Sequence, residues 1–588
     1  MTRKQLALWT LLLLLALPAL GANLSITRVW PDRLVYRPGE TATIAVDIAN
    51  AGGAASSAKV SLVINSGLDT VETLPVQAVT IPAKGKNTLG FLYKVPTTHK
   101  WGHQALAAVV EDGTDARTTG SEYFTVGTNP WEVGHYVTVF GLRGAQQSGY
   151  IDNQLIPKYR KAYISTVEGY SWQPSVFDGM APDIAVWRSG QGGYKESKAD
   201  WQYFIKRLHE NGMAAVTYIQ CFSYGPYGMD FARRHPELLT YQKDGRIAGA
   251  WFDVDQLSAW RENPEAQDFN TPGGITTGAF LPKNEKMGDY WIDQMIKSVE
   301  MFGWDGFRSD GNPGITSGYD FKGELSEVKD TGGENTRFLT KVRRRLTERF
   351  PNFIFGWNNV AGGYPQMYNS AGEESVMLPN AYSLFEHFRS ANEPNSIFHP
   401  WKKAVFYLQQ EAEAIRAQGG FAHAGWMGSN RYLEAIASAC GQQIDTWSGD
   451  VKLPNYRRFE FRWSEFLWDT TLRFVRPGSS VVTVNAPAPI CWEDFVHTRA
   501  LPGGGKRVIV HLLNMPGKDD DAWADRVPAP VANVRVIFAP PAGMKLAKIV
   551  AISPDSTDDI VPVTPAADGS ITLPQVTLWT VVVAEFRK

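Results

Sequence analysis

Three acidic residues close apolar, strand-like runs in this sequence: Asp310, Glu386 and, less distinctly, Glu168. Asp310 lies in Trp304-Asp305-Gly306-Phe307-Arg308-Ser309-Asp310-Gly311 and is followed by Asn312-Pro313-Gly314, which cannot continue regular structure. Alternate side chains of a strand share a face, so Gly306, Arg308 and Asp310 point one way. A guanidinium beside a carboxylate favours its ionised form, as a carboxylate nucleophile needs. Glu386 follows Ala381-Tyr382-Ser383-Leu384-Phe385 and precedes His387-Phe388. Apolar neighbours raise a carboxyl pKa, which suits a general acid at neutral pH. Two acids pushed apart in this way are the equipment of glycoside cleavage. An isolated Arg-x-Asp serves equally well as a structural ion pair. Glu393, in Asn392-Glu393-Pro394, competes with Glu386. A residue before proline in a loop holds catalytic geometry poorly, so Glu386 is the better acid.

Other chemistries lack their signatures. There is no Gly-x-Ser-x-Gly elbow for an esterase and no Gly-rich phosphate loop with lysine. His387 and His423 can be imagined joining Asp310 around a metal, but no His-x-His or His-Glu-x-x-His pair seeds such a site. Neither a metal nor a cofactor is expected.

The elements that must position these acids follow from periodicity. Ile292, Met295, Ile296 and Val299 give the segment from Asp289 to Phe302 one apolar helical face, and Gly303 stands where a left-handed residue ends a helix. Strands are predicted at Tyr163 to Val167, Ala214 to Ile219, Gly303 to Ser309, Phe353 to Trp357, Ala381 to Phe385 and Gly420 to His423. Helical patterns at Trp201 to His209, Asn335 to Phe350 and Trp401 to Gln418 alternate with them. This alternation predicts a parallel (β/α)8 TIM barrel, whose chemistry sits at the carboxyl ends of its strands. The stretch from Arg233 to Lys286 is a long, loop-rich insertion of the kind that builds a substrate cleft. Short alternating runs before and after the barrel predict an immunoglobulin-like β-sandwich and a C-terminal β-sandwich. The expected organisation is a signal peptide at 1–22, a sandwich at 23–128, a catalytic barrel at 129–480 and a second sandwich at 481–588.

Composition agrees with a globular, glycan-handling chain. The 588 residues are 44% hydrophobic and 20% charged, with net charge −2 and no basic tract for nucleic acid. Arg343-Arg344-Arg345 reads as the solvated face of a helix. The 20 Trp, 22 Tyr and 29 Phe are the anomaly. Many flank Gly, Asn or Pro, as in Tyr170-Ser171-Trp172 and Gly356-Trp357-Asn358-Asn359, where flat rings beside amides suit a sugar cleft. Arg3 and Lys4 precede an apolar run to Leu20, with Gly21 and Ala22 as a cleavage point, so a secreted or periplasmic protein without stable membrane insertion is expected. Cys221, Cys440 and Cys491 read as buried thiols, with one bridge open.

The sequence resembles glycoside hydrolase family 66, the dextranases and cycloisomaltooligosaccharide glucanotransferases. Residues 304–311 are similar to the family's Phe-Asp-Gly-x-x-x-Asp segment, which ends in the nucleophile. Gly356-Trp357-Asn358-Asn359-Val360-Ala361-Gly362 is similar to its Phe-Asn-x-Val-Asn-Gly stretch, and Leu384-Phe385-Glu386-His387-Phe388 takes the place of Tyr-Ser-Glu-x-Trp, whose Glu is the acid/base. Tyr170-Ser171-Trp172 is similar to the Tyr-Asp-Trp after the first strand, and the stretch from Asn211 to Tyr218 to the second strand. Ser171, Phe388 and Ala361 depart from the family's Asp, Trp and Asn. The resemblance implies a retaining endo-acting hydrolase of an α-linked polysaccharide, dextran-like or related, with Asp310 and Glu386 as its pair. Arg308, Tyr170, Trp172, Tyr218, Trp357, Asn358, Asn359, His423 and Trp426 are its implied substrate contacts. A cyclising transglycosylase and a catalytically silent glycan-binding protein are the alternatives.

Overall fold

The computed structural model describes residues 23–112, 117–144, 146–170, 172–174, 180–189, 194–220, 222–224, 231, 234–248, 274–276, 285–310, 317–358, 381–385, 401–417, 419–424, 430–447, 453–515, 524–566 and 568–588. The leader read at 1–22 lies outside them. The chain forms two compact units, 1–133 with 460–465, and 134–459 with 466–588.

The first unit carries two sheets, antiparallel except where the edge strand Val35–Tyr36 runs parallel to Arg117–Val126. One has three strands, Leu24–Pro31, Thr41–Asn50 and Lys86–Lys94; the other has six and is centred on Ser56–Ser66 and Trp101–Glu111. Along Thr41–Asn50 the pleat sends Ala42, Ile44, Val46 and Ile48 inward. They pack with Val60, Leu62, Ala107 and Phe124 in a single core.

The second unit contains a closed barrel of eight parallel strands. These are β1 (His135–Phe140), β2 (Ile164–Tyr170), β3 (Ala214–Gln220), β4 (Gly306–Asp310), β5 (Ile354–Asn358), β6 (Ala381–Phe385), β7 (Phe421–Ala424) and β8 (Gln443–Trp447). Closure is made by β8 on β1, where Tyr136 stands beside Asp445 and Thr138 beside Trp447. Two of these strands, β1 and β8, are absent from the sequence expectation. The strands expected first and second, Tyr163 to Val167 and Ala214 to Ile219, are therefore the second and third.

Helices α1 (Ile156–Lys161), α2 (Lys198–Glu210), α3 (Glu285–Phe302), α4 (Thr331–Arg349), α5 (Trp401–Ala417) and α6 (Arg431–Ala439) alternate with the strands. Ser197 caps α2 by accepting from the Asp200 N–H, and Trp201, Phe204, Ile205 and Leu208 bury one face of that helix. Gly303, at φ 85°, ends α3 as expected and lets the chain turn into β4. The arginine cluster on α4 is less solvated than its sequence implies. Arg345 pairs with Asp289 at 3.4 Å and Asp293 at 2.9 Å on α3, and Arg343 lies over the Phe355 ring.

A second pair of sheets follows, six-stranded and three-stranded. Its central strand, Trp579–Arg587, is bonded on one side to Gly505–Leu513 and on the other to Lys545–Ile552. Cys440 and Cys491 are free thiols, and Cys221 lies outside the described residues. Among the described residues no helix is long and apolar enough to cross a membrane.

Burial sets the acid response of this fold. Desolvation pushes His103 down to about 4 and His423 and His497 to about 3, and drives His135 and His511 well below the ordinary value. A depressed histidine contributes stability that is complete above its unfolded pKa of about 6.5 and is lost as pH falls toward the folded value. Glu196 acts the other way: burial raises it to about 7, so its contribution is present at low pH and lost as pH rises through 7. His209 acts with Glu196: burial lowers it, but its hydrogen bond to Asp305 and the attraction of that carboxylate together outweigh burial and raise it, so five groups oppose two. The urea midpoint is expected to fall between pH 7.5 and pH 5.0, as the unfolding free energy drops by on the order of 1–2 kcal/mol for each of His103, His423 and His497. An equal or higher midpoint at pH 5.0 contradicts this.

Candidate active site

One polar cluster crosses the barrel interior. Arg308 on β4 donates Nε–H to Glu168 Oε2 at 2.9 Å and Nη2–H to Oε1 at 3.0 Å. The two side chains are 1% and 0% exposed. Tyr136 on β1 donates its hydroxyl to the same Oε2. The guanidinium carbon sits 4.6 Å from the ring centroid of Tyr218 on β3, a cation–π contact in a dry setting. Tyr218 packs on Tyr170 at 4.1 Å, and Tyr170 on Phe140 at 4.9 Å. His423 on β7 meets the Tyr136 ring edge-on at 5.9 Å, and its burial keeps it neutral. The cluster thus joins β1, β2, β3, β4 and β7.

Asp310 is the last residue of β4, two positions beyond Arg308 and in register with Gln220 at the end of β3. Parallel strands leave their carboxyl ends on one face of a barrel, where barrel enzymes hold their chemistry. Sequence reasoning paired Arg308 with Asp310, whose side chain lies outside the described residues. Two of the Arg308 donors go to Glu168, 140 residues earlier. The first connection on this face is held by another buried acid: Glu196 accepts from the Leu142 N–H at 3.0 Å, the Arg143 N–H at 3.4 Å and the Trp201 indole at 2.8 Å.

Several of the expected sugar contacts are deeply buried. Trp172 is fully buried in the barrel wall. Its indole donates to Thr217 Oγ1 at 2.8 Å, and its ring packs on Phe302 at 4.8 Å and Trp304 at 5.2 Å. A Cβ at Gly169 would lie 2.7 Å from Trp304, so this wall leaves room only for glycine there. Arg308, Tyr218 and His423 are each 1% exposed and pack within the barrel interior. Tyr170 is half-buried at the end of β2. Trp357 and Asn358 close β5, where Trp357 is in register with Ser309 and Asn358 with Leu384. The side chains of Asp310, Trp357 and Asn358, and all of Asn359, Glu386 and Trp426, lie outside the described residues. Glu386 directly follows Phe385, the last residue of β6. Sequence reasoning missed Tyr136, whose signal is the run from His135 to Phe140 between Gly134 and Gly141.

The model of glycosyl hydrolase family 66 matches residues 31–376. The chain belongs to glycosyl hydrolase family 66. It is accordingly a glycoside hydrolase by family, and the matched stretch contains Glu168, Arg308 and Asp310 and ends ten residues before Glu386. A cycloisomaltooligosaccharide glucanotransferase from Paenibacillus sp., solved with cycloisomaltoheptaose, is similar in fold at 14% identity and a TM-score of 0.70, over 95% of this chain and 100% of that one. A noncanonic maltogenic α-amylase from Thermotoga neapolitana is similar at 12% identity and a TM-score of 0.46, over 77% of this chain and 98% of its own. No curated protein sequence matches.

In this family 66 chain, removing one partner of the buried pair strands a charge in the barrel. Arg308→Met is expected to cost about 3–5 kcal/mol in urea unfolding, and Arg308→Met with Glu168→Met to recover most of it. A single-variant cost below about 1 kcal/mol would show that the pair does not hold the interior.

Proposed function

We propose that this protein is a retaining, endo-acting hydrolase of an α-linked polysaccharide, with Asp310 as nucleophile and Glu386 as acid/base. The observation that carries the reading is that Asp310 closes β4 and Glu386 follows β6, two strands of one parallel barrel whose carboxyl ends share a face. The dextran-like α-1,6-glucan class is supported by the family match and by the cyclic isomaltooligosaccharide in the Paenibacillus structure. Export by the 1–22 leader belongs to the same proposal.

The chemistry divides into two displacements. The Asp310 carboxylate attacks the anomeric carbon while Glu386 gives its proton to the departing glycosidic oxygen. This leaves a covalent glycosyl-enzyme and a Glu386 carboxylate. Glu386 then takes a proton from water as the water oxygen attacks the same carbon and expels Asp310. Two inversions give net retention, and the bond is exchanged for one water. A sugar hydroxyl in place of water makes the same intermediate a transglycosylation donor. The pair is expected at about 5–5.5 Å in a crystal structure.

A general acid matters most when the leaving group is poor. Glu386→Gln is expected to nearly abolish polysaccharide cleavage, by roughly 100-fold or more, while sparing the first step on an activated aryl α-glycoside. Azide should then accelerate turnover and yield a glycosyl azide of the substrate's anomeric configuration. Near-parental cleavage by Glu386→Gln together with its loss in Glu393→Gln would move the acid to Glu393.

A further inference from the structure

Two short hairpins lie in the connections that leave the carboxyl ends of β3 and β4. The first is closed by the bridge between Tyr241 and Ile247 and turns at Gly245, at φ 84°. The second pairs Gly318–Tyr319 with Leu325–Ser326 and turns at Gly323, at φ 81°. Asp320 Oδ1 braces the second turn by accepting from the Lys322 N–H at 2.9 Å and the Glu324 N–H at 2.8 Å. The hairpins are joined edge to edge: the Tyr241 N–H donates to the Tyr319 carbonyl at 2.8 Å, and the Tyr319 N–H to the Tyr241 carbonyl at 2.9 Å. Tyr241 is fixed further by its hydroxyl, which donates to the Pro236 carbonyl at 2.7 Å.

This braced sheet holds an apolar surface in water. Phe321, at the tip, is 57% exposed, and its ring centroid lies 6.1 Å from that of the half-buried Tyr241. Leu325 is 50% exposed, and Tyr319 is half-buried beside it. Lys243, Arg246 and Lys322 are balanced by Asp244, Asp320 and Glu324, so the patch carries no net charge. A neutral patch gives no electrostatic hold on nucleic acid or on a strongly charged peptide. Two rings inclined at 49° to each other, edged by Gln242 and Lys322, offer apolar faces with hydrogen-bonding neighbours, which suit the apolar face and hydroxyl rim of a pyranose. Tyr319 follows Asp310 by nine residues, so the patch lies at most about 30 Å from the end of β4, within reach of a chain a few sugars long.

We propose that the Phe321–Tyr241 surface is a remote binding platform for a neutral polysaccharide, the outlying part of the chain whose cleavage is proposed above and on which this inference rests. Occupancy of the platform adds a second attachment point, so long chains gain affinity that short ones do not.

The test uses the full chain, with Phe321→Ala and Phe321→Trp, in native gels containing dextran, pullulan or soluble starch. At least one polymer should retard the parent. Phe321→Ala should need roughly five- to tenfold more of it for equal retardation, with Phe321→Trp close to the parent. Cleavage of short oligosaccharides should be unchanged in both variants, while KM for the polymer rises in Phe321→Ala alone. Equal retardation of Phe321→Ala and parent, or no retardation of the parent by any of the three polymers, overturns the platform. A lower sedimentation mass for Phe321→Ala also overturns it, by identifying the occupant as a second copy of the chain. Failure of the hydrolase reading is seen separately, as a parent that is retarded yet cleaves none of them.

Discussion

The interior of the barrel turns on one buried ion pair. A guanidinium and a carboxylate out of water are costly unless each meets a partner of matched geometry, and Arg308 and Glu168 meet through two nearly equal hydrogen bonds. The pair leaves little freedom around it. The Tyr136 hydroxyl takes a third position on Glu168, and the Tyr218 ring faces the guanidinium. A slip of one residue in β2, β3 or β4 would turn a charge or a ring through the barrel wall. The pair therefore fixes registers as well as charges, and the height at which β4 ends, with Asp310, is one of them.

The sequence was most informative where period and punctuation agree. The apolar face of α3, the glycine that ends it and the Gly-Asn-Pro-Gly that follows β4 all stand in the chain as local signals. Six barrel strands were legible for that reason. The run from His135 to Phe140, inside the expected barrel range, was not, because no helical pattern was read between it and the strand that begins at Tyr163. Gln443–Trp447 is short and carries polar residues at alternate positions, so little in it announces a parallel strand.

The site was legible in part. Acids at strand ends are visible because an apolar run and a turn signal bracket them. The pairing of Arg308 with Glu168 was not visible: 140 residues separate the two, and only the fold of the barrel brings them together. Aromatic residues are ambiguous in sequence for a related physical reason. Residue type tells that Trp172 is large and flat, but a wall has two sides. The small Gly169 and the indoles of Trp201 and Trp304 place it in the packing between sheet and helices.

The strand order of the last sandwich bears on how it is made. Trp579–Arg587 is the latest of its strands along the chain, yet it lies between Gly505–Leu513 and Lys545–Ile552. As the chain is synthesised, both neighbours emerge with open edges facing a gap. They cannot pair across it until the missing strand arrives. The sandwich is therefore completed in one late step, and until then its half-built sheet offers two adhesive edges to any extended segment nearby.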